Sequence, residues 1–176
     1  MALLLAAFAP LRADAQVLTQ EEALRLAFPA PLVVERRTAY LSEAQLADAR
    51  RSAGAGVAIE QGVVSYYVAL RDGRPAAVAY FDAHRVRTLP EVLMIVVDRT
   101  ARIRRIEVLT FTEPPEYRPS ERWLEQLTGR ELTPDLSLRR GIVNMTGATL
   151  TATAVTAASR RVLALHGVIA PFGGAP

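Results

Sequence analysis

Residues 63–81, VVSYYVALRDGRPAAVAYF, decide the fold. Val63 to Leu70 and Ala76 to Phe81 are rich in β-branched and aromatic residues, and Asp72-Gly73 between them is a hairpin turn signal. Working outward, Val92 to Val97 (VLMIVV) is an unbroken apolar run, which predicts an interior strand covered on both faces. Asp98 to Ala101 turns the chain, and Ile103 to Phe111 returns it as a further strand.

Helices are expected on either side of this β-rich middle. Thr19 and Glu22 have capping-box spacing and open a short helix over Thr19–Phe28, which Pro29 and Pro31 end. Leu32 begins a strand running to Tyr40, and Ser42 with Gln45 caps a second helix that stops near Gly54. Glu113-Pro114-Pro115-Glu116-Tyr117 reads as a loop because of its consecutive prolines, and Ser120 caps a short helix through Trp123, Leu124 and Leu127. Gly141-Ile142-Val143 is offered as a short strand. A last helix is expected from about Thr151 to His166, with Gly167 as its stop. The fold class is therefore α+β: a single domain with a mostly antiparallel sheet flanked by helices.

Composition narrows the function. A chain of 176 residues with 51% hydrophobic and 22% charged residues is globular and sized for one domain. It has no cysteine, which excludes disulfides, thiolate nucleophiles, cysteine-ligated clusters and thioether-linked haem. The net charge is +3, and all 21 basic residues are arginines. Arginine pairs such as Arg36-Arg37, Arg50-Arg51 and Arg139-Arg140 are scattered among acids, so they read as solvated faces and no nucleic-acid partner is expected.

Met1 to Leu11 is a short apolar run followed by Ala13-Asp14-Ala15, which reads as a signal peptide of residues 1–15 cleaved after Ala15. A buried N-terminal helix is the alternative. Export implies an extracytoplasmic location, in the periplasm or on the outer face of the inner membrane. Gly54-Ala55-Gly56-Val57-Ala58-Ile59 lacks the last glycine of a dinucleotide loop and follows a helix, so it is set aside. The only histidines, His84 and His166, lack metal-ligand spacing, so no metal is expected. His84 is placed in a loop, Asp82-Ala83-His84-Arg85, as a surface residue and a lesser candidate near a cofactor. His166 is placed in the last helical turn, where its charge would meet the helix dipole.

Thr146-Gly147-Ala148-Thr149-Leu150-Thr151 stands directly before the last helix. Gly147 and Ala148 let an anion approach the backbone closely, and the helix behind offers free N–H groups and a positive dipole end. The hydroxyls of Thr146, Thr149 and Thr151 can cap the helix, bind a phosphate or be modified. A threonine-rich cap before an alanine-rich helix is also an ordinary arrangement.

These six residues resemble the [S/T]-G-A-T-x-[S/T] motif of FMN-binding domains, including the peripheral flavin subunits of the Na+-translocating NADH:quinone reductase and of Rnf-type electron-transport complexes. Upstream, the order of two strands followed by Glu113-Pro114-Pro115-Glu116 is similar to the family's strands and Glu-Thr-Pro-Gly loop. The resemblance covers roughly residues 60–166. It implies residues 61–170 as the FMN-binding domain, with 16–60 as an N-terminal extension packed on it as one unit. It further implies FMN as cofactor, attached through its phosphate to Thr149 by an FMN transferase. Thr146, Gly147, Ala148, Leu150 and Thr151 would surround the phosphate end. Glu113, Tyr117 and Trp123 would lie toward the ring, with Arg118 or Arg122 able to favour its anionic reduced forms. No catalytic residue is assigned. The function implied is that of an exported, membrane-associated electron carrier more than a stand-alone enzyme, working with redox partner proteins or a membrane electron-transport complex. Val143 stands where the family usually has Asp, which favours the alternative of a non-covalent FMN domain with reductase activity. A cofactor-free envelope binding module is the third reading.

Overall fold

The computed structural model describes residues 18–173, and the expected signal peptide lies outside them. Asp72 and Gly73 both take left-handed backbone (φ 52° and 72°), which matches the twist of the strands they join. They link β2 (Val63–Arg71) to β3 (Arg74–Val86) as an antiparallel hairpin. A second two-residue turn, Arg87-Thr88, leads into β4 (Leu89–Asp98), and β5 (Ile103–Phe111) follows. β1 (Val33–Tyr40) pairs antiparallel with β2 along its whole length, from Val33 opposite Leu70 to Tyr40 opposite Val63. The sheet order is β1-β2-β3-β4-β5.

Four helices complete the fold. α1 (Gln20–Ala27) and α2 (Glu43–Ala53) both begin with the expected capping boxes, Thr19 with Glu22 and Ser42 with Gln45. Ser120 caps α3 (Glu121–Leu124), which tightens into a 3-10 turn over Glu125–Leu127. α4 (Thr149–Ile169) is the longest element.

Strand alternation sends side chains to opposite faces. Val78, Tyr80, Leu93, Ile95 and Val97 join a core with Val155, Ala158 and Val162 of α4. Ala77, Ala79, Met94 and Val96 face the other way and pack with Ala23 and Phe28 at α1. Leu93 to Val97 are consequently buried throughout, as the continuous apolar run predicts. α2 packs on the far end of α4 through Leu46, Ala49 and Leu165. The architecture is α+β, with helices on both faces of an antiparallel sheet.

Several local expectations are corrected. β3 runs on to Val86 and takes in the whole of Asp82–Arg85, so that stretch is strand and not loop. Residues 141–143 form no strand; Gly141 donates its N–H to the Asp135 carbonyl at 3.0 Å inside an irregular turn. Pro115–Tyr117 makes one 3-10 turn, with proline at its first position, where no N–H is needed. α4 starts two residues before Thr151 and runs through Gly167, ending at Ala170 in left-handed backbone (φ 46°) just before Pro171. Among the described residues no helix is long and apolar enough to cross a membrane.

Candidate functional site

The N-terminus of α4 differs chemically from those of α1, α2 and α3. Each of those three has a side-chain cap, whereas the N-cap of α4 is Ala148, which has no side chain to offer. The first intrahelical bond is Ala152 N–H to the Ala148 carbonyl at 3.1 Å. The N–H groups of Thr149, Leu150 and Thr151 therefore lack a backbone partner among the described residues, and the longest helix dipole ends in unsatisfied donors.

Those donors line a cavity of about 250 Å³. Gly147, Ala148, Thr149, Leu150 and Thr151 form one wall, Glu113 and Tyr117 another, and Val86 and Arg87 of the β3–β4 turn a third. Gly147 takes φ 81° and has open space where a Cβ would stand, so glycine is needed for the turn and not for room. The Thr149 hydroxyl is exposed and accepts a hydrogen bond from Asn144 Nδ2 at 2.9 Å. The cavity is somewhat smaller than the roughly 300–1,000 Å³ that encloses a whole ligand, so it suits a phosphate end or one edge of a flat ring.

Seven of the nine residues singled out in the sequence line this one cavity: Thr149, Gly147, Ala148, Leu150, Thr151, Glu113 and Tyr117. Thr146 is exposed and does not line it. Trp123 is buried in the core, where its indole Nε1 donates to the Val143 carbonyl at 2.8 Å, and it does not reach the cavity. Arg118 is tied to the Val108 carbonyl at 3.1 Å, and neither it nor Arg122 lines the cavity. Glu113 has a structural duty as well: its Oε1 accepts from the N–H groups of Thr88 and Leu89 at 3.4 and 3.3 Å, fastening the β3–β4 turn.

Arg87 is the residue that the sequence reading missed. It takes left-handed backbone (φ 53°) without being glycine, an uncommon state for an arginine. Its only signal in the sequence is its place in a two-residue hairpin turn, and that turn is visible only once β3 is known to reach Val86.

His84 belongs to a buried charge cluster and not to the surface. Its side chain is 11% exposed, with Nδ1 at 2.9 Å from Asp82 and Nε2 at 2.7 Å from Glu91. Arg161 of α4 holds Asp82 through two bonds of 2.7 Å. Burial alone would lower the pKa of His84, but its hydrogen bonds to Asp82 and Glu91 outweigh that and raise it to about 9. His84 is therefore a cation donating from both nitrogens. Burial acts against Asp82 too, and the Arg161 and His84 hydrogen bonds more than offset it, holding the carboxyl below its ordinary range. Glu91 is fully buried, and its Oε1 has no hydrogen-bond partner among the described residues. The two acids sit on opposite ring nitrogens, and among the described residues no three His, Cys, Asp or Glu side chains gather as a metal-ligand set.

His166 is likewise corrected. It is buried, 3.0 Å from the Tyr80 hydroxyl, and burial lowers its pKa to about 4 against a small opposing effect of Asp98. A neutral imidazole sharing a hydrogen bond with a phenol replaces the expected charge–dipole contact.

The fold and the site define an α+β domain with an uncapped helix terminus opening into a small cavity. Compared with family models, curated proteins and solved structures, the chain matches none.

Proposed function

We propose that the chain is an FMN-binding electron-transfer protein, with FMN attached by a phosphoester to Thr149. The observation that carries this reading is the uncapped N-terminus of α4, which places three free N–H donors and an exposed threonine hydroxyl in one cavity. Supporting a phosphate there are the unpartnered N–H groups and the small volume; Glu113 also lines the cavity, its Oε1 engaged by the N–H groups of Thr88 and Leu89. The N–H groups of Thr149, Leu150 and Thr151 would neutralise it, and Arg87 would add a cation from the opposite wall. Tyr117 and half-exposed Leu150 supply flat and apolar surface for a ring lying at the cavity mouth. FMN would supply the electron-transfer chemistry; the chain's residues bind and orient it.

Asn144 donates to Thr149 Oγ1, which leaves the hydroxyl proton directed elsewhere and the oxygen fixed in place. Attachment needs an FMN transferase with FAD as the donor: the Thr149 Oγ1–P bond forms as the diphosphate P–O bond of FAD breaks, AMP leaves, and the hydroxyl proton is released to solvent. Redox partner proteins or a membrane electron-transport complex would deliver and collect the electrons on the outer face of the membrane.

Thr149→Ala, produced alongside an FMN transferase, is expected to lose all colour that survives denaturation, and Thr149→Ser to keep it. Covalent flavin on Thr149→Ala overturns the assignment. Val143, 72% exposed and pointing no carboxylate at the motif, favours the second reading, in which FMN is held without a covalent bond. Flavin released from the wild-type protein by acid would identify that case.

A further inference from the structure

We propose that a second cleft, between residues 54–57, residues 134–140 and α4, is a binding site for a phosphate or diphosphate group. It measures about 580 Å³, within the range of small-molecule sites. Arg139, Arg140 and Arg160 line it, and no carboxylate does. Among the described residues Arg37, Arg51, Arg102, Arg105 and Arg161 pair with an acid and the other arginines do not; what sets these three apart is that they gather in one cleft. The three cleft arginines have no carboxylate within 4 Å among the described residues, and Asp135 on the same loop pairs with none of them.

Arg160 is the fixed member. Its Nε donates to the Ala53 carbonyl at 2.7 Å, and its Nη1 to the carbonyls of Thr133 and Leu136 at 2.8 and 3.2 Å. These bonds lock the guanidinium plane and leave Nη2 beside Gly54, where an added Cβ would lie 3.3 Å from it. Partial burial lowers the pKa of Arg160, whose guanidinium meets carbonyl oxygens but no carboxylate within 4 Å among the described residues. The N–H groups of Ala55 and Gly56 border the same cleft and have no partner among the described residues. Planar guanidinium forks and backbone N–H donors match the oxygens of a phosphate and leave a carboxylate-free wall for its charge.

A soluble phosphate compound and a lipid headgroup share this chemistry. Calorimetric titration of the full chain with pyrophosphate tests the first, and co-sedimentation with phosphatidylglycerol vesicles against phosphatidylcholine vesicles tests the second. Arg139→Gln/Arg140→Gln should weaken whichever binding is seen about tenfold or more, as expected for losing a charged hydrogen bond. Arg25→Gln/Arg104→Gln removes the same charge from exposed positions elsewhere and should leave it within about twofold. Pyrophosphate binding without vesicle capture assigns a soluble ligand, and the reverse assigns a headgroup. Equal losses in the two double variants, or no binding to either probe, overturn the site. An unchanged melting temperature in Arg139→Gln/Arg140→Gln separates lost binding from lost folding.

Discussion

His84 and His166 set opposite ends of a stability window. The raised pKa of His84 means that its contribution is complete below its ordinary value of 6.5 and is lost as pH rises through about 9. The cluster around it includes Asp82, Glu91 and Arg161, so deprotonation leaves two buried acids facing one arginine. The lowered pKa of His166 acts in the other direction: the unfolded chain binds the proton first, so stability falls as pH drops from 6.5 through about 4. Urea unfolding at stepped pH should show a maximum between these limbs, and His84→Gln should flatten the alkaline one. Neither environment was legible in the sequence. Asp82-Ala83-His84-Arg85 is polar enough to look like a turn, and only the register of β3 against β4 shows that Glu91 lies opposite His84. Trp123 illustrates the same limit, since an aromatic near a motif fits a ring wall or a core equally well. Trp123→Phe should cost roughly 1–3 kcal/mol through the lost bond to Val143 and leave flavin content unchanged, as read by unfolding and by visible absorbance.

Elements were legible where local chemistry fixes them. The capping boxes at Thr19 and Ser42 satisfy orphan N–H groups by themselves and needed no tertiary information. α4 was harder, because Ala148 gives no cap signal and Gly167 gives a false stop. Packing of its last turns against α2 outweighs the cost of an interior glycine, which is about 1 kcal/mol. The irregular stretch after Gly129 carries no periodicity, and its order comes from close backbone contact. A Cβ on Gly141 would sit 2.4 Å from the Asp135 carbonyl oxygen, which cannot move aside cheaply. Gly141→Ala should therefore destabilise the protein by roughly 2–3 kcal/mol, read as a lower urea midpoint with unchanged slope.

At the scale of the molecule, β2 to β5 follow one another through short antiparallel connections while β1 joins β2 by way of α2, and those short turns and apolar runs are why the α+β architecture could be read. What could not be read is where pairing stops. β2 and β3 pair only as far as Tyr66 opposite Tyr80, although β2 continues back to Val63 and β3 on to Val86. The parted strands frame a cleft of about 750 Å³ beside His84 and Arg161. The extra length of β3 also carries Arg87 to the cavity under α4, completing a wall that the motif alone does not contain. The site thus joins one sequence-local feature, the Thr146–Thr151 segment, to two that only the fold brings near: the β3–β4 turn and the Glu113–Tyr117 loop.

The most direct measurement is the intact mass and visible spectrum of the denatured protein after export alongside an FMN transferase, followed by peptide mapping. A gain of one FMN less one water, on the peptide containing Thr149, is the expected result. An unmodified mass, or flavin mapped to any other residue, would contradict the assignment of Thr149.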